Sequence, residues 1–162
     1  MHLVTGRIEG VPTALLDHLE SIAASTGATV QAMDARYVVS RRHLERAVEL
    51  ANRAIDRDDA IADDRGVEIL LYAAGRRQID RALEMGLKEE PHPVAIVVDG
   101  GDEEAAADAV AALLTEVTSP SSVLGDESRI QEYFEVTQAE LDTGFSLESL
   151  VLERVALLVI DK

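Results

Sequence analysis

The chain has 162 residues, of which 47% are hydrophobic, and it contains no cysteine. This length and composition predict one compact domain over residues 1–162, and the lack of cysteine excludes disulfides and thiolate metal sites. No apolar stretch approaches the roughly 18 residues of a membrane span, and the first ten residues lack the apolar core of a signal peptide. We therefore expect a cytoplasmic protein that does not associate with membranes.

The charge is unevenly distributed along the chain. The net charge of −16 argues against nucleic-acid binding, which depends on lysine and arginine. However, residues 36–88 contain eleven Lys or Arg and ten Asp or Glu, which gives +1, whereas the rest contains four and twenty-one, which gives −17. Acidic residues and alanine dominate that remainder, so we hypothesise an extremely halophilic archaeal source, whose protein should gain stability from low to molar KCl.

Strands and helices alternate in the first part of the chain. His2–Glu9 predicts a first strand, for which an edge position is one option. Pro12 begins a helix with a regular apolar stripe, and Gly27 ends it. Ala28–Met33 predicts a second strand.

Ser40 is a strong N-cap candidate for the next helix. Arg41 and Arg42 then lie in its first turn. His43 is interpreted as a packing or hydrogen-bonding residue, because that helix offers no second ligand at metal spacing. The polar run Asp56–Asp64 lacks the glycine and terminal glutamate of an EF-hand, so we interpret it as a solvated linker.

The apolar run Val67–Ala74 is long enough for a strand or two helical turns, and its leucine and alanine content favours a helix. Gly75 then acts as a C-cap. A second helix is predicted from about Arg76 to Gly86.

Arg76 and Arg77 are unusual in the first turn of that helix, where the helix dipole disfavours cations. A neighbouring carboxylate, Asp80, is one way to offset the cost. An anionic ligand held by the free N–H groups and the two guanidinium groups is the other. The sequence alone leaves both alternatives open.

The second half continues the alternation. Val94–Val98 predicts a central strand buried on both faces, reached through an extended connector. The turn Asp99–Asp102 lacks the spacing of a nucleotide-binding loop, and Asp102 caps a helix over Glu103–Val117. A loop at Ser119–Ser122 precedes a short helix over Asp126–Glu135.

The C-terminal segments are predicted to be helical. Thr137 caps one short helix, which Gly144 ends. Ser146 begins another, whose stripe at helical spacing is apolar except for one arginine: Leu147, Leu150, Val151, Arg154, Val155 and Leu158. Core packing and a partner surface explain this stripe equally well.

The elements together predict an α/β fold with a small mixed sheet packed by several helices, and more helix than strand. No general base, nucleophile or metal cluster emerges from four histidines and serines confined to caps and loops. We therefore expect no catalytic residues, no metal and no cofactor.

Three consecutive segments, VVSRRHLERAVELANRAI, EILLYAAGRRQIDRALEMGL and VAIVVDG, together resemble the small tRNA-recruiting subunit of the KEOPS complex, also called the PRPK-binding protein family. The specific part of the resemblance is an array of positions: Ser40, His43, Glu68-Ile69-Leu70, Arg77-Gln78-Ile79, Ala82 and Gly86. The order of segments agrees over nearly the whole chain.

The resemblance implies a non-catalytic subunit of the assembly that makes threonylcarbamoyladenosine in tRNA. In that family this subunit binds the kinase-like ATPase subunit and captures tRNA, largely through its 3′ CCA end, with no small-molecule substrate. The candidate tRNA-binding residues are Arg76, Arg77, Gln78, Ile79, Arg41 and Arg42. The candidate partner-binding residues are Leu150, Val151, Arg154 and Val155.

Two other functions are left open. The first is a purely protein-binding regulator of a kinase-like partner, whose arginines pair internally. The second, a small-molecule enzyme using the Asp99–Asp102 turn, has little support in the sequence.

Overall fold

The computed structural model describes residues 1–10 and 12–161, the last of them in backbone only, and these form two compact units. The first unit comprises Met1–Ala35 and Gly86–Val123, and the second Arg36–Met85 and Leu124–Lys162. Helices outnumber strands, which confirms an α/β fold with more helix than strand. Within the described ranges, no helix is both long and apolar enough to cross a membrane. The expectation of a single domain stays a prediction.

The first unit is built on a four-stranded sheet. Its elements are β1 (His2–Ile8), α1 (Pro12–Thr26), β2 (Thr29–Asp34), β3 (His92–Asp99), α5 (Glu103–Leu113), β4 (Glu116–Thr118) and α6 (Pro120–Val123). The strand order is β2-β3-β1-β4, and each neighbouring pair is antiparallel. The prediction of a mixed sheet was therefore wrong: β1 and β2, which α1 joins, are not neighbours but pair with the two sides of β3.

Strand β3 is central, as predicted. Val94, Ile96 and Val98 belong to the apolar core with side chains of α1 and α5. Ala95 and Val97, which alternate with them, are equally buried. Strand β1 lies between β3 and β4, so the edge position considered for it does not occur.

The helix predicted over Glu103–Val117 was too long. Helix α5 ends at Leu113, and Glu116–Thr118 forms β4 instead, paired with β1. The Thr115 N–H donates to the Arg7 carbonyl at 3.0 Å, so pairing with a distant strand overrides the local helical pattern here. A further short helix, α6, occupies part of the predicted loop.

The turn between β3 and α5 is held by backbone packing. The Asp102 side chain accepts from the Ala105 N–H at 3.3 Å, which confirms the predicted cap. Gly101 has a φ of +57°, and a Cβ there would lie 2.3 Å from the backbone of Gly27. Glycine is therefore required for close approach of two chain segments, which supports the interpretation of a plain turn.

The second unit is helical. Its helices are α2 (Arg41–Asp56), α3 (Arg65–Ala74), α4 (Ile79–Ala82), α7 (Glu127–Tyr133), α8 (Gln138–Asp142) and α9 (Leu147–Asp161), with a 3₁₀ turn at Leu83–Met85. Helix α9 packs against α2 and α3. The predicted caps Ser40 and Thr137 are confirmed, and Thr137 forms a capping box with Glu140.

The linker between α2 and α3 is held in place by a buried carboxylate. Glu68, fully buried, accepts the N–H of Ile61 at 3.0 Å and that of Ala62 at 2.9 Å. The acidic run is thus solvated along much of its length, as predicted, yet fixed at its middle by a residue of the next helix.

Candidate functional site

Helix α3 ends in a Schellman motif at Gly75. The Gly75 N–H donates to the Tyr72 carbonyl and the Arg76 N–H to the Leu71 carbonyl, both at 3.1 Å. Gly75 has a φ of +62°, and a Cβ there would lie 3.2 Å from the Arg154 carbonyl oxygen. The predicted C-cap is confirmed, and it turns the chain sharply before the basic residues that follow.

The helix predicted from Arg76 begins later than expected. Helix α4 starts at Ile79 and has four residues, with Gln78 as its N-cap. Arg76 and Arg77 therefore precede it, because the Arg76 N–H is used to close α3. The two arginines therefore do not lie in the first turn of a helix, where its dipole would disfavour them. The alternative of an anion bound at the start of a long helix is also wrong, because α4 has only four residues.

The residues after Arg76 are presented to solvent. Arg77, Gln78 and Ile79 are all exposed, and 49% of the Ile79 surface is accessible. An exposed isoleucine beside an exposed arginine and an exposed amide offers apolar, cationic and hydrogen-bonding groups side by side. Ala82, one turn on, is buried and anchors α4.

Arg76, by contrast, is turned toward the protein. Its guanidinium donates to the Tyr133 carbonyl and lies 4.9 Å from the centroid of the Tyr133 ring. The Tyr133 hydroxyl donates to the Arg81 carbonyl at 2.8 Å. Burial raises the pKa of Tyr133 to about 12, so the hydroxyl stays protonated and donating at neutral pH.

Arg41 and Arg42 lie in the first turn of α2, as predicted. The Arg41 Nε lies 2.9 Å from a Glu45 oxygen and Arg42 Nη1 lies 3.2 Å from a Glu148 oxygen. The Arg42 side chain is 73% exposed. Exposed ion pairs of this kind contribute at most about 1 kcal/mol, so both arginines can exchange a carboxylate for another anion at low cost.

His43 joins the start of α2 to the end of α3. It is fully buried, its Nε2 lies 2.7 Å from the Ala73 carbonyl, and its Nδ1 accepts from the Val39 N–H. Desolvation lowers its pKa to about 4, so the ring is neutral. The predicted hydrogen-bonding role is confirmed, and it places Arg41 and Arg42 at the same end of the second unit as the segment after Gly75.

The predicted partner stripe on α9 faces inward. Leu150, Val151 and Val155 are buried in the second unit, and Val151 is 0% exposed. Arg154 donates to the carbonyls of Phe134 at 3.0 Å and Glu135 at 3.2 Å. This geometry favours the core-packing alternative for the stripe.

Arg154 also binds a carboxylate. Its Nη2 lies 2.8 Å from an oxygen of Glu140, and this bond lowers the pKa of Glu140 to about 2. The guanidinium thus ties α9 to both α7 and α8, which is a structural role for the one charged residue of the stripe.

The opposite side of α9 is exposed. Leu157 and Ile160 are accessible, and Ile160 is 77% exposed. Between α9 and α2 lies an open groove of about 470 Å³, lined by apolar and polar residues of α9 and by charged residues of α2: Ser149, Leu152, Glu153, Ala156, Arg42, Glu45, Arg46 and Glu49. The helix therefore has an apolar inner face and a partly apolar outer face.

Sequence reasoning missed the partners of the arginines. No pairing with an arginine was predicted for Tyr133, Glu140 or Glu148. These contacts join residues 14 to 106 positions apart, so no local pattern marks them.

The family comparison adds an independent finding. A family model described as "Kinase binding protein CGI-121" matches residues 12–158. No curated protein matches the sequence. Among the side chains described, those of residues 1–10 and 12–160, no group of three histidine or acidic residues is placed to hold a metal ion.

Proposed function

The chain belongs to the CGI-121 family of kinase-binding proteins, and we propose that it is a non-catalytic subunit of the KEOPS complex that binds the kinase-like ATPase subunit and recruits tRNA through its 3′ CCA end. The observation that supports tRNA binding is that the consecutive residues Arg77–Ile79 are exposed. The family description supports a kinase-like partner.

The groups of this run suit a single-stranded RNA end. An arginine can bind a phosphate or stack on a base, an amide can reach a base edge, and an apolar side chain can cover a base face. Arg41 and Arg42, at the same end of the second unit, supply further phosphate contacts. Phosphate contacts weaken in concentrated salt, so a halophilic protein would depend more on the apolar contact at Ile79.

The deciding variant is Ile79→Glu. Because Ile79 is half exposed, an acid there costs little folding stability but repels an anionic ligand. We expect loss of the gel shift with CCA-ended tRNA, retention of the kinase-subunit complex, and no further loss with tRNA lacking CCA. The matched control is Leu83→Glu, at an apolar residue that is 56% exposed on the same short segment.

Two results would contradict this. Equal loss in Leu83→Glu would mean that added negative charge, not the Ile79 contact, weakens binding. Wild-type binding by a folded Ile79→Glu variant would remove the RNA site from this segment.

The partner surface is proposed to be the outer face of α9 rather than its buried stripe. Ile160→Asp should abolish co-purification with the kinase-like subunit while helical circular dichroism stays unchanged. Val151→Asp is the comparison, since it buries an unpaired charge and should unfold the second unit at a cost of several kcal/mol. Intact co-purification by Ile160→Asp would move the partner surface elsewhere.

The second candidate function is a purely protein-binding regulator. The ion pairs of Arg41 and Arg42 and the internal bonds of Arg76 favour it, since they give these arginines intramolecular partners. A wild-type protein that binds the kinase-like subunit but shifts no tRNA would establish this alternative.

A further inference from the structure

The C-terminal end of α7 is closed by the same backbone motif as α3. The Glu135 N–H donates to the Glu132 carbonyl at 3.3 Å and the Val136 N–H to the Gln131 carbonyl at 2.9 Å. A Schellman motif of this kind satisfies two of the carbonyls at a helix end and leaves the ones that follow without helical donors.

Those remaining carbonyls accept from arginines of other segments. Tyr133 receives its bond from Arg76, and Phe134 and Glu135 receive theirs from Arg154. Cations suit this position, because the C-terminal end of a helix carries partial negative charge. The carbonyls of Tyr133, Phe134 and Glu135 at the end of α7 thus form a platform to which Arg76 binds.

Tyr133 holds the segment after Gly75 at two points. Its carbonyl and ring engage Arg76, and its hydroxyl binds the Arg81 carbonyl. The ring itself is buried and packs edge-on against Tyr37, with centroids 5.3 Å apart. Between the two held points lie the exposed residues of the proposed RNA contact.

We propose that Arg76 and Tyr133 are positioning residues, which hold the run Arg77–Ile79 in its RNA-binding conformation without touching RNA themselves. This inference rests on the proposed tRNA binding. It changes the proposed role of Arg76 from an RNA contact to a structural one, because its guanidinium contacts the Tyr133 carbonyl and ring. It also gives Tyr133 a role that the sequence did not predict.

The test compares Tyr133→Phe and Arg76→Gln with Arg77→Gln over a KCl series in which all variants stay folded. A lost phosphate contact flattens the salt slope of tRNA binding by about 0.7 for single-stranded RNA. We expect that change for Arg77→Gln alone. Tyr133→Phe should weaken binding about twofold to tenfold, the worth of one hydrogen bond, with an unchanged slope.

Hydrogen exchange without RNA gives a second readout. In Tyr133→Phe the amides of residues 78–83 should exchange faster, while those of α2 and α3 keep wild-type rates. The double variant Tyr133→Phe/Arg77→Gln should lose less affinity than the two single variants added together, because one of the contacts that Tyr133 positions is already gone.

Each failure has its own signature. A flattened slope in Arg76→Gln would make Arg76 a direct contact and overturn the inference. Unchanged affinity and unchanged exchange in Tyr133→Phe would overturn it as well, even if Arg77→Gln weakens binding as the proposed function requires. If wild-type protein binds no tRNA, the proposed function fails and this inference fails with it.

Discussion

Helices α3 and α7 end in the same pair of backbone hydrogen bonds, yet the carbonyls left over are satisfied differently. At α3, the Ala73 carbonyl is bound by the neutral ring of His43. At α7, carbonyls are bound by the cations Arg76 and Arg154. Burial explains the choice: His43 is fully enclosed, whereas Arg154 keeps 22% of its side chain in solvent.

The comparison shows how desolvation selects the donor. A cation stabilises a helix end, but removing a charge from water costs several kcal/mol, so a fully buried end is better served by a neutral donor. A partly exposed end keeps the favourable charge without that cost. The two ends should therefore respond to different variables, pH at α3 and side-chain geometry at α7.

The largest expected effect is the pH response of the α3 end. The pKa of His43 is about 4 in the folded protein and about 6.5 when unfolded, so the unfolded state binds more protons between these values. The contribution of neutral His43 to the free energy of unfolding should be complete above pH 6.5, and the free energy of unfolding should fall by about 3 kcal/mol as the pH drops to 4. Urea unfolding at fixed KCl measures this.

His43→Gln isolates the effect, since it removes the titrating group at that position. The variant should lose most of the pH dependence in this window, whereas His18→Gln, at an exposed histidine of α1, should keep the wild-type profile. Glu103 and Glu140, whose pKa values are lowered to about 2, lose their contributions at lower pH. Identical profiles for wild type and His43→Gln would show that His43 is not the group responsible.

The next effect breaks the α3 motif itself. Gly75→Ala forces a side chain into a left-handed conformation and places its Cβ 3.2 Å from the Arg154 carbonyl. We expect a loss of about 1–2 kcal/mol in the free energy of unfolding, from the conformational term alone. Chemical unfolding with an unchanged m-value checks it, and Gly10→Ala, where a Cβ meets nothing within 4 Å, is the control.

Local signals in the sequence predicted the end of α3 and the beginnings of α2 and α8 well. Gly75, Ser40 and Thr137 act within a few residues of themselves, so their caps were readable. The start of α4 and strand β4 were missed, because the first depends on a bond back to Leu71 and the second on pairing with β1. The apolar stripe of α9 was found, but a stripe records periodicity and not which surface covers it.

A third prediction concerns side-chain geometry at α7. Arg154→Lys keeps the charge but loses the planar fork that spans two carbonyls and the Glu140 carboxylate. We expect a loss of about 1 kcal/mol, the worth of one or two hydrogen bonds. A variant as stable as wild type in urea would mean that charge alone, rather than the fork, holds this helix end.

The smallest effect is a gain in stability. Glu135 occupies the left-handed position of the α7 motif with a φ of +53°, where α3 has glycine. Glu135→Gly removes a conformational cost of about 1–2 kcal/mol from the folded state. Glycine also makes the unfolded chain more flexible, which lowers stability by about 0.5–1 kcal/mol, so a net gain of about 0.5 kcal/mol in the free energy of unfolding is expected. Glu132→Gly, inside the same helix, should instead lose about 1 kcal/mol. Because Arg76 and Arg154 bind backbone carbonyls, Glu135→Gly should leave tRNA affinity unchanged, and a fall in affinity would mean that the Glu135 side chain itself helps to place the platform.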